Sequence, residues 1–326
     1  MIPGNGRLLS GISRSVGALP ALLLLPLAAV AAIPPMPEGF QALNSLDYER
    51  ALRIFEQETQ QRPDDPEAWN HLAQALLHRA LFQAGALDSA AFGPGSPFLN
   101  RPRVPMSGAD QARFDEAIRR SLSLCEARLR ANPLDGACLY ASGVAHAHQA
   151  QMALLVKKSW REALREGGKS RHAHEALIKV SPDFADAFLI PGLHEYIAGS
   201  LPWYVKALAF LAGYRGDRAE GIRHMERAVS GGRKTAVEAR VLLGVVLRRE
   251  KQYARAAQLM SELAAAFPAN HLYRSEEILL LAEAGQEQSA RQRLAELESS
   301  RLLPPEKFEA LSRIMEEAAA RSRRRR

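Results

Sequence analysis

The chain has 326 residues, 47% of them hydrophobic, and a formal net charge of +7. That length and apolar content suffice for a substantial core and exclude a wholly disordered chain. The basic excess does not point to nucleic acid, because it sits at the two ends: Arg7 and Arg14 supply two charges, the five arginines of 321–326 supply five, and 33–320 is neutral overall.

In chain order, residues 1–32 combine two arginines, no acid and an apolar run from Val16 that ends in Val30, Ala31 and Ala32. This is the pattern of a secretory signal peptide cleaved after Ala32, which places the mature chain in the periplasm or outside the cell. An uncleaved anchor needs roughly 20 apolar residues, and this run is interrupted by Pro20 and Pro26. Residues 33–44 read as an extended linker. From Ser45 onward apolar residues recur at helical spacing between Pro and Gly clusters, so the fold expected is all-α.

The helices repeat. Ala51, Phe55 and Pro63 have the spacing of a second repeat helix and its terminating proline, and Trp69, Leu72, Ala73 and Leu76 that of the next first helix. Downstream, Arg240, Leu243, Gly244 and Leu247 are followed by Tyr253, Ala256, Met260 and Pro268, with Arg240 alone departing from the apolar type. Ile278, Leu281, Ala290, Leu294 and Leu297 continue the register, while Phe188, Gly192, Gly221, Met225 and Ala228 keep it with substituted residues. Small residues let paired helices approach and large ones fill the hollows, so the pattern predicts a right-handed superhelical solenoid of antiparallel, tetratricopeptide-like pairs, about five to six in number. The repeat domain spans 45–303, 304–320 form a capping helix through Phe308, Leu311, Ile314 and Met315, and 321–326 are a disordered basic tail.

Two insertions break the period: 85–108, with four prolines that no regular helix survives, and 200–221, an apolar and aromatic helix within one repeat. At the second, Leu201, Pro202, Gly213, Gly216, Asp217, Arg218 and Gly221 follow a Leu-Pro, apolar helix, Gly, Gly-Asp-Arg, Gly pattern. This segment, roughly Asp183 to Asn270, resembles exported bacterial tetratricopeptide-repeat proteins and more distantly the tetratricopeptide-39 and inclusion-body clearance family. The resemblance implies a helical repeat fold without enzyme activity.

Catalytic and metal chemistry have little foothold. His146 with His148, and His172 with His174, are two residues apart and so project about 200° apart on a helix, whereas ligands sharing one helix sit three or four apart. His194-Glu195 opens like a metalloprotease helix, but Ala198 stands where the second histidine belongs. Asp217 reads as a helix cap. Cys125 and Cys138 lie across a turn at Asn132–Asp135 in positions whose Cα separation exceeds the ~7 Å limit for a bridge, which favours buried free thiols. No metal and no cofactor is expected, and the chain is read as no enzyme.

The function expected is a scaffold that binds a protein partner of unknown identity in a concave groove formed by the first helix of each pair. Asn70, Gln74, Tyr140, Tyr196, Val241 and Arg248 take the groove positions, and Trp203 and Tyr204 add an aromatic contact from the second insertion. The alternative is a peripheral membrane or lipid-associated protein that uses this aromatic insertion and the arginine tail on anionic lipid. The chain is expected to be a monomer or weak homo-oligomer and to bind no nucleic acid.

Overall fold

A computed structural model describes residues 33–87, 102–201 and 216–325. The signal segment, the centre of the first insertion, Arg326, and Pro202, Trp203, Tyr204 and Gly213 of the second insertion lie outside the described residues. Every regular element described is helical: α1 (Glu38–Asn44), α2 (Tyr48–Gln61), α3 (Pro66–Gln83), α4 (Gly108–Ala131), α5 (Gly136–Met152), α6 (Trp160–Val180), α7 (Leu189–Gly199), α8 (Arg218–Gly231), α9 (Ala236–Arg249), α10 (Tyr253–Ala266), α11 (His271–Glu283), α12 (Glu287–Ser300) and α13 (Pro305–Arg323). A π-helical turn, Ala153–Lys157, follows α5, and a 3-10 turn, Ala185–Phe188, precedes α7.

Two local devices alternate and generate the repeat. Four second helices, α2, α4, α6 and α10, end in a four-residue turn with proline at its second position: Arg62–Asp65, Asn132–Asp135, Ser181–Phe184 and Phe267–Asn270. In each, the fourth N–H donates to the first carbonyl, at 3.1, 3.0, 3.0 and 2.9 Å. Proline presets φ for the second position and supplies no N–H to prolong the helix. Asp65, Asp135 and Asn270 then cap α3, α5 and α11, accepting from Glu67, Cys138 and Leu272 N–H respectively. At the remaining turn the fourth residue is Phe184, which has no capping oxygen, and the chain enters α7 through the 3-10 turn.

Four first helices, α1, α3, α9 and α11, end differently, with one residue in the left-handed region. Leu46, Gly85, Lys251 and Gly285 have φ of 66°, 63°, 60° and 78°. In each case the next N–H reaches back to a carbonyl five residues earlier, from Asp47 to Ala42, Ala86 to Leu81, Gln252 to Leu247 and Gln286 to Leu281. This closure satisfies carbonyls that the helix end would leave bare.

The extended linker expected at 33–44 is instead largely α1. Its helix is fixed by packing: a Cβ on Gly39 would collide with the Phe55 ring, and Phe40 lies edge-on to Phe55 with ring centroids 5.2 Å apart. Seven residues of modest propensity fold because this apolar face covers α2. Of the first insertion, 102–107 is irregular, as its prolines require, yet it is anchored: Val104 is buried, and Val104 N–H and Arg103 Nε donate to the Leu155 and Val156 carbonyls of the π turn at 3.0 and 2.7 Å.

At the C-terminus, Leu311, Met315, Ala318 and Ala319 of α13 bury against Ile278, Leu279, Ala290 and Leu297, so α13 covers the last pair. The basic tail does not begin at 321. The helix continues to Arg323, and Arg321, Arg323 and Arg325 reach Glu283 (3.9 Å), Glu287 (2.5 Å) and the Tyr253 hydroxyl (3.1 Å). Arginine in a last helical turn also meets the negative end of the helix dipole. No helix among the described residues is long and apolar enough to cross a membrane.

Candidate partner-binding face

The glycines of the central segment bring backbones together. A Cβ on Gly192 would lie 2.9 Å from the Gly221 carbonyl oxygen, and one on Gly221 only 2.6 Å from Gly192 O and Tyr196 N. α7 and α8 therefore cross at van der Waals contact of their main chains, and neither position admits a side chain. Gly216 packs as closely on Gly199 and Ala198. Asp217 caps α8, accepting from Ala219 and Glu220 N–H at 2.7 and 3.0 Å, and Arg218 pairs with Glu250, which also accepts from the Tyr196 hydroxyl at 2.8 Å. Leu201 closes the described part of α7's exit.

Of the six expected groove residues on first helices, five are buried against the chain itself. Asn70 donates to the Ala141 carbonyl at 2.8 Å, and Gln74 donates to Glu238 at 2.8 Å. Tyr140 packs edge-on to Phe184 and His174, with the Lys234 ammonium 4.9 Å from its ring centre. Tyr196 is 4% exposed, and Arg248 is held between Glu276 and Glu283 at 3.0 and 3.2 Å. Val241 alone keeps a partly exposed side chain.

The groove is not open at these positions because early and late repeats meet across it. Lys234 pairs with Glu67 at 2.5 Å, Asn270 donates to the Asn44 carbonyl at 2.8 Å, and the Phe82 and His271 rings lie 6.1 Å apart. Together with Gln74–Glu238 these contacts form a polar clasp between α1–α3 and α9–α11. Asp186, buried at 4% exposure, sets the clasp's turn: one of its oxygens accepts from Arg233, Lys234 and Thr235 N–H at 2.8 to 2.9 Å and from the Thr235 hydroxyl at 2.9 Å. Its partners lie 47 to 49 positions downstream, so no local spacing marks it.

What remains accessible on this face is mostly polar. His78, Glu238, Val241 and Tyr273 are partly exposed. Beside them Asn70 Oδ1, both ring nitrogens of His148 and one Glu238 oxygen have no hydrogen-bond partner within the described chain. Burial pushes His71 and His78 down to about 4, and His148 down to about 3 with His78 and His71 adding to the effect. Burial raises Glu238, and the nearby Asp186 charge adds to it. The imidazoles are thus neutral near pH 7, and the face offers hydrogen bonds more than charge.

Outside the inner face, a cleft of about 590 Å³ lies between α4, α5 and α6, floored by Leu122, Leu129 and Leu139 and rimmed by Glu126, Arg130 and Lys169. His146 on its wall pairs with the buried Glu166 at 2.8 Å, whereas His174 is buried with Nδ1 2.8 Å from the Ser170 carbonyl and His172 is exposed. Each histidine pair is split between two environments. Among the described residues no group of three or more His, Cys, Asp or Glu side chains could hold a metal ion.

The class defined by this architecture is the helical-repeat solenoid. The Tetratricopeptide repeat family matches residues 41–97 and 206–271. These two segments are similar to tetratricopeptide repeats, the all-helical architecture is consistent with such a solenoid, and repeats of this kind generally mediate protein–protein interaction. No curated protein matches it.

Proposed function

We propose that this chain is a non-catalytic interaction scaffold of the bacterial cell envelope, exported and cleaved near Ala32, that holds a polypeptide segment against the open part of its inner face. One observation carries this reading: His78, Glu238 and Tyr273 keep partly exposed, hydrogen-bonding side chains on this face beside the partly exposed Val241. A bound peptide backbone supplies both donors and acceptors to such side chains. The test is affinity recovery from envelope extract by the mature chain and by its Glu238→Gln and His78→Ala variants. A partner recovered by the mature chain and reduced at least several-fold by both variants supports the inner face; equal recovery by all three refutes it. Amino-terminal sequencing of exported chain should begin at Ile33, and a chain beginning at Met1 refutes cleavage.

The lipid-associated alternative draws less support, since Arg321 and Arg323 already face Glu283 and Glu287. Flotation with anionic vesicles separates the readings: the scaffold reading expects no association that is lost on deleting 321–326.

A further inference from the structure

Cys125 and Cys138 stand on facing turns of α4 and α5, beyond the reach of any chemistry assigned above. Both are free and fully buried. They pack together in one small buried cluster with Ala141 and Leu129. The helical offset between the two positions, which argues against a bridge on axis spacing alone, therefore does not place them in separate parts of the core. Cys125 also forms part of the wall of the 590 Å³ cleft, which gives a small oxidant a route to one thiol of the pair. Cys138 sits in the first turn of α5, a helix end that can shift at less cost than an interior turn.

We propose that Cys125 and Cys138 are a redox pair that closes to an intramolecular disulfide and joins the two helices of this repeat. The oxidant is a small-molecule or protein disulfide. Cys125 loses its proton and attacks one sulfur of that disulfide, expelling one thiol and leaving a mixed disulfide on Cys125. Cys138 then loses its proton and attacks the Cys125 sulfur, expelling the second thiol. Two S–H bonds are replaced by one S–S bond in the protein, and the two protons and two electrons end on the two thiols released. Burial raises both thiols and so disfavours the attacking thiolate, which makes the exchange slow and faster in alkali.

The experiment equilibrates the full chain in glutathione buffers from reducing to oxidising, quenches with acid, unfolds and alkylates it, and weighs it intact. The expected result is loss of two hydrogen masses with no alkylation at the oxidising end, reversed by reductant. Cys138→Ser should instead stop at a single glutathione adduct on Cys125. Two alkylated cysteines at the oxidising end, or a covalent dimer in place of the internal bridge, would overturn the proposal. The same titration on protein loosened in mild urea tells a blocked route from an inert pair: closure there but not in the native fold also overturns it.

Discussion

Arg240 shows how a single residue can break a repeat pattern without breaking the fold. It occupies the large apolar position of α9 and is 1% exposed, yet its Nε donates to Glu262 at 3.0 Å and Nη1 to the Ala236 carbonyl at 2.8 Å. The guanidinium stem fills the hollow as an apolar residue would, and the charge is answered by a carboxylate at the edge. Arg240→Ala should cost about 2–4 kcal/mol by leaving a cavity and an unanswered Glu262, whereas Arg240→Met should cost under about 1.5 kcal/mol. Urea unfolding of the two variants checks this, and equal losses would show that charge rather than volume governs the site. The position was legible in the sequence as an exception, and its partner was not, because Glu262 lies one helix away. Asp186 and the clasp residues Glu67 and Lys234 are the extreme of the same effect: hydrogen bonds that span 47 to 167 positions leave no periodic trace.

The helices themselves are a different matter. Ala51, Phe55 and Pro63, or Leu243, Gly244 and Leu247, carry their meaning in local spacing, and the structure builds α2, α9 and the turns between pairs where that spacing puts them. Gly244 would press a Cβ to 2.7 Å from the Met260 methyl, which is why a small residue recurs there. Less legible was α1, a seven-residue helix that exists because Phe55 and His71 receive it. Helix ends give the sharpest prediction at this scale. Lys251 pays for a left-handed conformation that Gly285 adopts without a Cβ clash at the equivalent place. Lys251→Gly should therefore stabilise the protein by about 1 kcal/mol and Gly285→Ala destabilise it by about 1 kcal/mol. Thermal melts of both variants should shift in opposite directions, and a shift of the same sign contradicts the assignment.

Over the repeat domain as a whole, the response to acid follows from its buried histidines. Burial holds His71, His78, His174 and His194 at about 4 and His148 at about 3, against about 6.5 in an unfolded chain. Between pH 6.5 and 4 the unfolded state binds more protons, so stability falls as pH falls through that window. Glu276 acts with the opposite sign: burial pushes it up to about 7, so its contribution is present below about 4.5 and lost as pH rises toward 7. Burial raises Glu195 and Glu238 as well, and the five histidines outweigh these three carboxylates. Melting temperature should drop between pH 7 and 5, and Glu276→Gln, which removes part of the offset, should steepen the drop. A flat profile, or a shallower one in the variant, contradicts this reading. Of these, His71, His78 and His148 border the inner face, where tertiary closure replaced the open groove implied by repeat periodicity. A period fixes which side of each helix faces inward. It does not fix how far successive pairs curl, and the contact of Gln74 with Glu238 depends on that curl.

The inner face as the binding surface is the central claim, and site-specific photocrosslinking tests it most directly. A benzophenone side chain replacing Val241, the accessible inward residue of α9, should yield a covalent adduct with an envelope polypeptide, while the same group at the exposed Leu164 on α6 should yield none. An adduct from Leu164 with none from Val241 would contradict the account.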